Sequence, residues 1–337
     1  MDRTLRISVD AVRSAPRASA KPLLQLIGHT PLLSLSRIER GFPGVRLFAK
    51  AEWFNPGGSV KDRAAASIIA DAEASPPLAG QAGLKGRVSL LDASSGNTAV
   101  AYAMIAAVKG YRATLCVPRN ANPQVLALLR AYGAEVVLTD PLQGSDGAIR
   151  EARRLAAEHP DTFLYLDQYN NPANWQAHYR TTAVEIWEQT RGTVTHFVAG
   201  LGTTGTFTGT SLRLKALNPA LEAIAVQPNE PLHGLEGLKH LESAIVPGIY
   251  DPSVPDETLF VSTEAAYDTV GQLAEREGIL AGPSSGAALA AGLQLAHRLT
   301  SAPRETPAVL VMIFPDSGAR YAVEGLVGST DGRALSS

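Results

Sequence analysis

Cysteine is almost missing from this chain: Cys116 is the only one among 337 residues. That excludes an internal disulfide framework and any cysteine-rich zinc or iron–sulfur site, and it fits a reducing, cytoplasmic compartment. Long apolar runs are missing too. A helix that spans a bilayer needs about 20 consecutive apolar residues. The longest candidates here, such as 308–314, fall far short, so no membrane association is expected. Neither sign of charge dominates: 30 Lys and Arg stand against 32 Asp and Glu, a formal net charge of −2. Such a chain offers no basic footprint for nucleic acid. There is no fixed-period repeat and no low-complexity tract in the body. His233, Glu236 and His240 lack the His-Glu-x-x-His spacing, and Gly234 and Gly237 weaken any helix there, so no metal site is expected.

What remains is a globular balance, 45% hydrophobic and 18% charged, which can bury a large core without staples. The length fits two domains or one large one. Short apolar, β-branched runs occur at 46–49, 88–92, 113–117, 135–139, 162–166, 196–199, 222–226, 258–261 and 308–314. Segments with helical spacing lie between most of them, for example 60–72, 98–109, 124–132 and 264–277. This alternation predicts an α/β protein of βαβ units, with mainly parallel sheets covered by helices. There are more strands than one small sheet holds, so two α/β layers are expected. The first 21 residues carry Arg3, Arg6, Arg13 and Arg17, but Asp2 and Asp10 interrupt them; an N-terminal arm is expected rather than a transit peptide. The Gly/Pro-rich stretch 227–255 is the longest irregular connection, and such loops are often functional.

Four segments could carry chemistry. Asn55-Pro56-Gly57-Gly58-Ser59-Val60-Lys61 ends a turn and opens a helix, placing Lys61 in the first helical turn. The positive end of the helix dipole disfavours a cation there. Lys61 is therefore either a solvated surface lysine or an amine of lowered pKa, ready to form a Schiff base. Ser94-Ser95-Gly96-Asn97-Thr98 follows a strand and opens a helix, an arrangement that binds anions such as a carboxylate. Helix capping alone needs one such residue, and this loop has four besides its glycine. Gly200-Leu201-Gly202-Thr203-Thr204-Gly205-Thr206 contains GxGxxG. The next strand, however, ends in Gln227 with no acidic residue for a dinucleotide ribose, and no Lys-Ser/Thr pair makes a P-loop. Its threonines add hydroxyl donors to a glycine-rich amide cradle, which suits a phosphate monoester. Gly282-Pro283-Ser284-Ser285 opens an Ala-rich helix, where simple capping is the plain alternative.

Together these are the parts a pyridoxal phosphate enzyme needs: a lysine for the aldehyde, a phosphate loop, a partner for the ring nitrogen, and amides for a substrate carboxylate. Further motifs appear in order around them. They are Ile27-Gly28-His29-Thr30-Pro31-Leu32, Gln168-Tyr169-Asn170-Asn171-Pro172-Ala173-Asn174, Glu277-Gly278-Ile279-Leu280-Ala281-Gly282 and Pro315-Asp316-Ser317-Gly318-Ala319-Arg320-Tyr321. The ordered set resembles the fold-type-II pyridoxal phosphate enzymes of the cysteine synthase / cystathionine β-synthase family, closest to the bacterial cysteine synthase B branch. The resemblance runs from about residue 24 to 321.

The resemblance implies a tryptophan synthase β-like fold of two domains. Residues 22–50 and 166–325 would form the larger, cofactor-binding domain, and 51–165 the smaller one with the Schiff-base lysine and the substrate loop. Residues 1–21 would be an arm and 326–337 a tail, with no room for a C-terminal regulatory domain. Lys61 would hold the cofactor and act as base at the substrate Cα. Asn97 would bond the ring hydroxyl, Gly202, Thr203, Thr204, Gly205 and Thr206 the phosphate, and Ser284 the pyridine nitrogen. Ser94, Ser95, Gly96, Asn97, Thr98 and Gln168 would hold the substrate. A serine at the ring nitrogen favours β-elimination, through an aminoacrylate, over transamination. The implied activity is β-replacement on O-acetylserine or O-phosphoserine, with sulfide or a carrier thiocarboxylate as sulfur donor. Cystathionine β-synthase, a serine/threonine dehydratase, and an inactive cofactor-holding, partner-binding protein are the alternatives. Lys239 would read a substrate phosphate, and a homodimer is implied. The chain departs from the family at His29, Ser94 and Ala99, where Asn, Thr and Gly are usual.

Overall fold

The computed structural model describes residues 21–74, 88–301 and 306–321. The expected arm, apart from Lys21, and the expected tail lie outside the described residues, as does the end of the larger expected domain beyond Tyr321. The architecture is α/β, with two sheets and helices against them. In chain order the elements begin with β1 (Leu32–Ser34), α1 (Ser36–Glu39), β2 (Val45–Ala51), α2 (Lys61–Ala74), β3 (Ser89–Ala93), α3 (Asn97–Lys109) and β4 (Arg112–Pro118). Then come α4 (Pro123–Ala131), β5 (Glu135–Thr139), α5 (Gly144–Glu158), β6 (Phe163–Tyr165), α6 (Ala173–Arg180) and α7 (Thr182–Gln189). The rest are β7 (His196–Gly200), α8 (Gly205–Leu217), β8 (Glu222–Pro228), β9 (Glu257–Val261), α9 (Thr263–Glu277), α10 (Pro283–Thr300) and β10 (Ala308–Phe314).

One sheet has the order β1-β2-β10-β7-β8-β9 and is parallel except for β1, which runs antiparallel to β2. The other has the order β5-β4-β3-β6 and is wholly parallel. The strand β1 has no counterpart among the sequence-predicted runs: three residues are too few to show a period of two.

Burial explains the pattern. β10 reads Ala-Val-Leu-Val-Met-Ile-Phe and is buried at every position, as expected of a strand covered on both faces. Leu310, Met312 and Phe314 pack with Leu47, Ile224 and Leu289 on one side. Val311 and Ile313 pack with Phe197, Ala199 and Phe207 on the other. In the smaller sheet, Leu90 and Leu115 meet α3, whereas Leu91, Ala93 and Cys116 meet Ala148, Ile149 and Ala152 of α5. Burial pushes the Cys116 thiol up to about 12. Local signals set the helix ends. Asn122 accepts from the Gln124 amide ahead of Pro123, and Ser262 accepts from that of Ala265, with Gly278 left-handed at the far end.

The start of α2 is held by a buried charge network. Arg63 Nε lies 2.7 Å from Glu52 Oε2, and its Nη1 lies 2.6 Å from Glu185 Oε1. Lys50 Nζ, itself buried, reaches Glu185 Oε2 at 2.6 Å and donates to the Thr30 carbonyl and to Gln189. Burial works to raise the Glu185 carboxyl, but Arg63 and Lys50 outweigh it and hold it at about 2. Replacing Arg63 by Met strands Glu52, which is fully buried. We expect a loss of about 3–5 kcal/mol, the cost of leaving a buried charge unpaired, read as a lower urea midpoint. A midpoint equal to that of wild type would show that the network contributes nothing to stability.

Candidate active site

Most segments of the site follow the carboxyl end of a strand, the place where open α/β sheets bind ligands; Ser284 instead opens α10, after α9. After β2, the chain makes a 3-10 turn over Glu52–Phe54 and a tight loop, then enters α2 at Lys61. The loop is tied at several points. Asn55 Oδ1 accepts from the Gly28 amide at 2.8 Å, Asp62 Oδ2 accepts from that of Gly57 at 2.5 Å, and Val60 N donates to Pro315 O at 2.9 Å. Lys61 opens on a cleft lined also by Ser94, Asn97, Gln168 and Tyr169. Burial lowers its ammonium to about 8, against an opposing pull from Asp316. The sequence left a surface lysine and a tuned amine open, and the structure places the amine in the cleft wall.

The cleft also gathers Ser94, Ser95, Gly96, Asn97, Thr98, Gln168, Gly202, Thr203 and Lys239. Ser94 N donates to the Cys116 carbonyl at 3.1 Å, and Gly96 N to Ser94 Oγ at 3.2 Å. Gln168 Nε2 donates to the Ala93 carbonyl at 2.7 Å. Asp92 ties both segments, because its carboxylate accepts from Ala93 N at 2.7 Å and Gln168 N at 3.1 Å. Burial pushes Asp92 up to about 7. A deeper recess is lined by Lys61, Asn97, Gly202, Thr206, Glu236 and Ser284. Thr204 and Gly205 are buried behind the cleft surface.

The loop after β7 is built for close approach. Thr204 has φ 70°, a left-handed conformation that is strained for a β-branched residue, and α8 begins at the next residue. At Gly202 a Cβ would lie 2.2 Å from the Gly237 carbonyl oxygen, so only glycine fits. Asn174 Nδ2 donates to Thr203 Oγ1 at 3.1 Å and to the Gln168 carbonyl at 2.7 Å, linking this loop to the Gln168 segment. Thr206 Oγ1 pairs with His178 Nε2 at 3.2 Å, and burial drives the His178 imidazole to its neutral form. Among the described residues, the buried Thr204 Oγ1 has no hydrogen-bond partner. An orphaned hydroxyl, free amides at a helix start and a glycine cradle fit a phosphate group. With the Lys61 amine for an aldehyde, the donor set fits pyridoxal phosphate.

Lys239 lines the cleft, but its ammonium is engaged: Nζ lies 2.8 Å from Asp146 Oδ1 and 5.2 Å from the Tyr169 ring centroid. Sequence reasoning assigned no role to Asp92, Asn174, Asp316 or Arg320. The last three stand in quoted motifs, which was the available signal. His29, where Asn is usual, has φ 50° and donates its amide to Glu185; both residue types tolerate that conformation better than most. Among the described residues, no group of three His, Cys, Asp or Glu is arranged to hold a metal ion.

Residues 23–316 match the model of the family described as "Pyridoxal-phosphate dependent enzyme". A cysteine synthase of Aquifex aeolicus is 47% identical over 319 residues, 94% of either chain. Cysteine synthase B of Salmonella typhimurium is 43% identical over 307 residues, 91% of this chain and 96% of that one. The solved cysteine synthase of Entamoeba histolytica superposes with TM-score 0.84 at 32% identity, covering 98% of this chain and 96% of its own. An O-ureido-L-serine synthase superposes with TM-score 0.83 at 35% identity, covering 94% and 98%. The chain belongs to the pyridoxal-phosphate dependent enzymes, and its relatives there include cysteine synthases.

The lowered Lys61 pKa has a direct readout. In cofactor-free protein, labelling of Lys61 by an amine reagent should rise to half its maximum near pH 8 rather than 10.5, as the neutral amine forms earlier. Half-labelling above pH 10, followed by peptide mapping, would contradict the desolvated amine.

Proposed function

We propose that this chain is a cysteine synthase, replacing the β-substituent of an activated L-serine with sulfur to release L-cysteine. The observation that carries this reading is the Lys61 amine, lowered to about 8, in one cleft with the Ser94–Thr98 loop and the Gly202 loop. Bound pyridoxal phosphate supplies an electron sink at the substrate Cα. Gly202, Thr203, Thr204, Gly205 and Thr206 would hold its phosphate, Asn97 its ring oxygen and Ser284 its ring nitrogen. Lys61 would hold the cofactor through its amine and, once released, would take the Cα proton on Nζ. The Cβ–O bond breaks and the leaving group departs with the electron pair. The sulfur donor forms the Cβ–S bond, and Lys61 returns its proton to Cα. The amides of 94–98 and Gln168 orient the substrate carboxylate. Ser284 Oγ is too weak an acid to protonate the ring nitrogen firmly, which favours elimination over transamination.

The two sheets support a division into 22–50 with 166–325 and an intervening 51–165, since β1 and β2 pair within the six-stranded sheet. Sulfide or a carrier thiocarboxylate serves as donor, and the working form is a cytoplasmic homodimer, testable by light scattering. The place of Lys239 in the cleft wall supports a second substrate, O-phosphoserine, alongside O-acetylserine. Its phosphate would share the ammonium with Asp146 through a charge-assisted bond.

Purified holoprotein should be yellow, and borohydride should fix the cofactor to Lys61. Lys61→Ala should lose that link and about 10²–10⁴-fold in turnover, the usual contribution of a positioned base. Full activity in that variant would refute the assignment. Lys239→Ala should lower the first half-reaction with O-phosphoserine about 10- to 100-fold relative to O-acetylserine. An unchanged ratio would leave O-acetylserine as the substrate. Cysteine formation must outpace both pyruvate and cystathionine formation if the reading is right.

A further inference from the structure

We propose that Asp316 is a positioning residue which, together with Arg320, fixes the orientation of the Asn97 amide in the cofactor recess. The inference rests on the reading that the recess holds pyridoxal phosphate. An asparagine amide has two faces that differ only in which end donates. Here both ends are gripped by groups of opposite kind. Asn97 Nδ2 donates to Asp316 Oδ2 at 2.6 Å, and Asn97 Oδ1 accepts from Arg320 Nη1 at 2.5 Å. A carboxylate only accepts and a guanidinium only donates. A flipped amide would set oxygen against oxygen and N–H against N–H, so one orientation survives. The Nδ2 group has a second proton, and that proton stays available to a ring oxygen.

The surroundings of Asp316 serve the same end. Its side chain is fully buried, and Oδ2 also accepts from the Tyr321 hydroxyl at 2.7 Å. Its backbone bridges Ser59, two residues before Lys61, and its carbonyl accepts from Gly282 N at 3.2 Å, two residues before Ser284. One residue thus joins the lysine loop, the asparagine and the serine helix. Among the described residues, Oδ1 has no hydrogen-bond partner, and a Cβ at Gly282 would lie 2.1 Å from it. A bare carboxylate oxygen in the interior is a liability for folding alone. Burial raises the Asp316 carboxyl, while Tyr321, Asn97, Arg320 and Lys61 pull the other way.

The test is a double-mutant cycle on holoenzyme with Asp316→Ala, Asn97→Ala and both, read by the visible cofactor band and the first half-reaction rate. Asp316→Ala should shift the band as Asn97→Ala does and slow the half-reaction about 10- to 100-fold, the scale of a small misplacement. The double variant should match Asn97→Ala within about a factor of two, because the effects share one route. Asp316→Asn keeps an acceptor for Asn97 and should recover most of the loss. If the losses multiply in the double variant, or if Asp316→Ala keeps the wild-type band and rate, the proposal falls. A merely structural role would lower the urea midpoint and leave the band of the folded fraction unchanged, which also overturns it. Should Asp316→Ala not fold, Arg320→Met removes the opposite grip and must shift the same band. Failure of wild-type protein to bind pyridoxal phosphate would sink the reading of the site instead.

Discussion

The Arg63 guanidinium, clamped between Glu52 and Glu185, is the constraint on which the site depends. It lies two residues beyond Lys61 on the same first turn, so whatever holds Arg63 holds the backbone that carries the amine. Glu52 follows β2 directly, Glu185 comes from α7, and Lys50 adds a second cation from within the strand. Breaking such a cluster is costly, although an apolar one of the same shape would often be as stable. What ions add is direction. The network ties α2 to the end of β2 through Glu52 and to α7 through Glu185, and it captures the turn at Gly28–Thr30 through Thr30 Oγ1 and the His29 amide.

From that anchor the cleft follows as a property of topology. Loops leaving β2, β3, β6, β7, β8 and β10 all contribute, and parallel pairing sends their carboxyl ends the same way within each sheet. Two bridges cross between loops. Asn174 couples Gln168 to Thr203, and Asp146 holds the long irregular segment with both oxygens, one on Lys239 and one on the Ile245 amide.

Much of this was legible in the sequence, for reasons that differ by residue. Lys61, Ser94–Thr98 and Gly202–Thr206 announce themselves because strand-to-helix junctions need turn residues, and these junctions hold more of them than a turn requires. The strands were legible where burial on both faces makes an unbroken apolar run, as at Ala308–Phe314. The rest was hidden by distance along the chain. Asp146 and Lys239 lie 93 residues apart, and Asn97 and Asp316 lie 219 apart. A buried carboxylate such as Asp92 reads like any surface aspartate until its partners are known. Glu236 and His233 fell under a metal question in the sequence, whereas the fold gives Glu236 a place in the cleft wall.

The packing of Cys116 has a consequence for a protein whose proposed trade is sulfur. Its thiol is fully buried against Ala148, Ile149 and Ala152 of α5, and burial pushes it up to about 12. At neutral pH the sulfur therefore stays a thiol rather than the thiolate that attacks disulfides or captures electrophiles. The same residue's carbonyl holds the Ser94 amide, so its backbone serves the site while its sulfur stays out of reach. The one thiol of the chain is thereby kept apart from the sulfur chemistry proposed for the cleft.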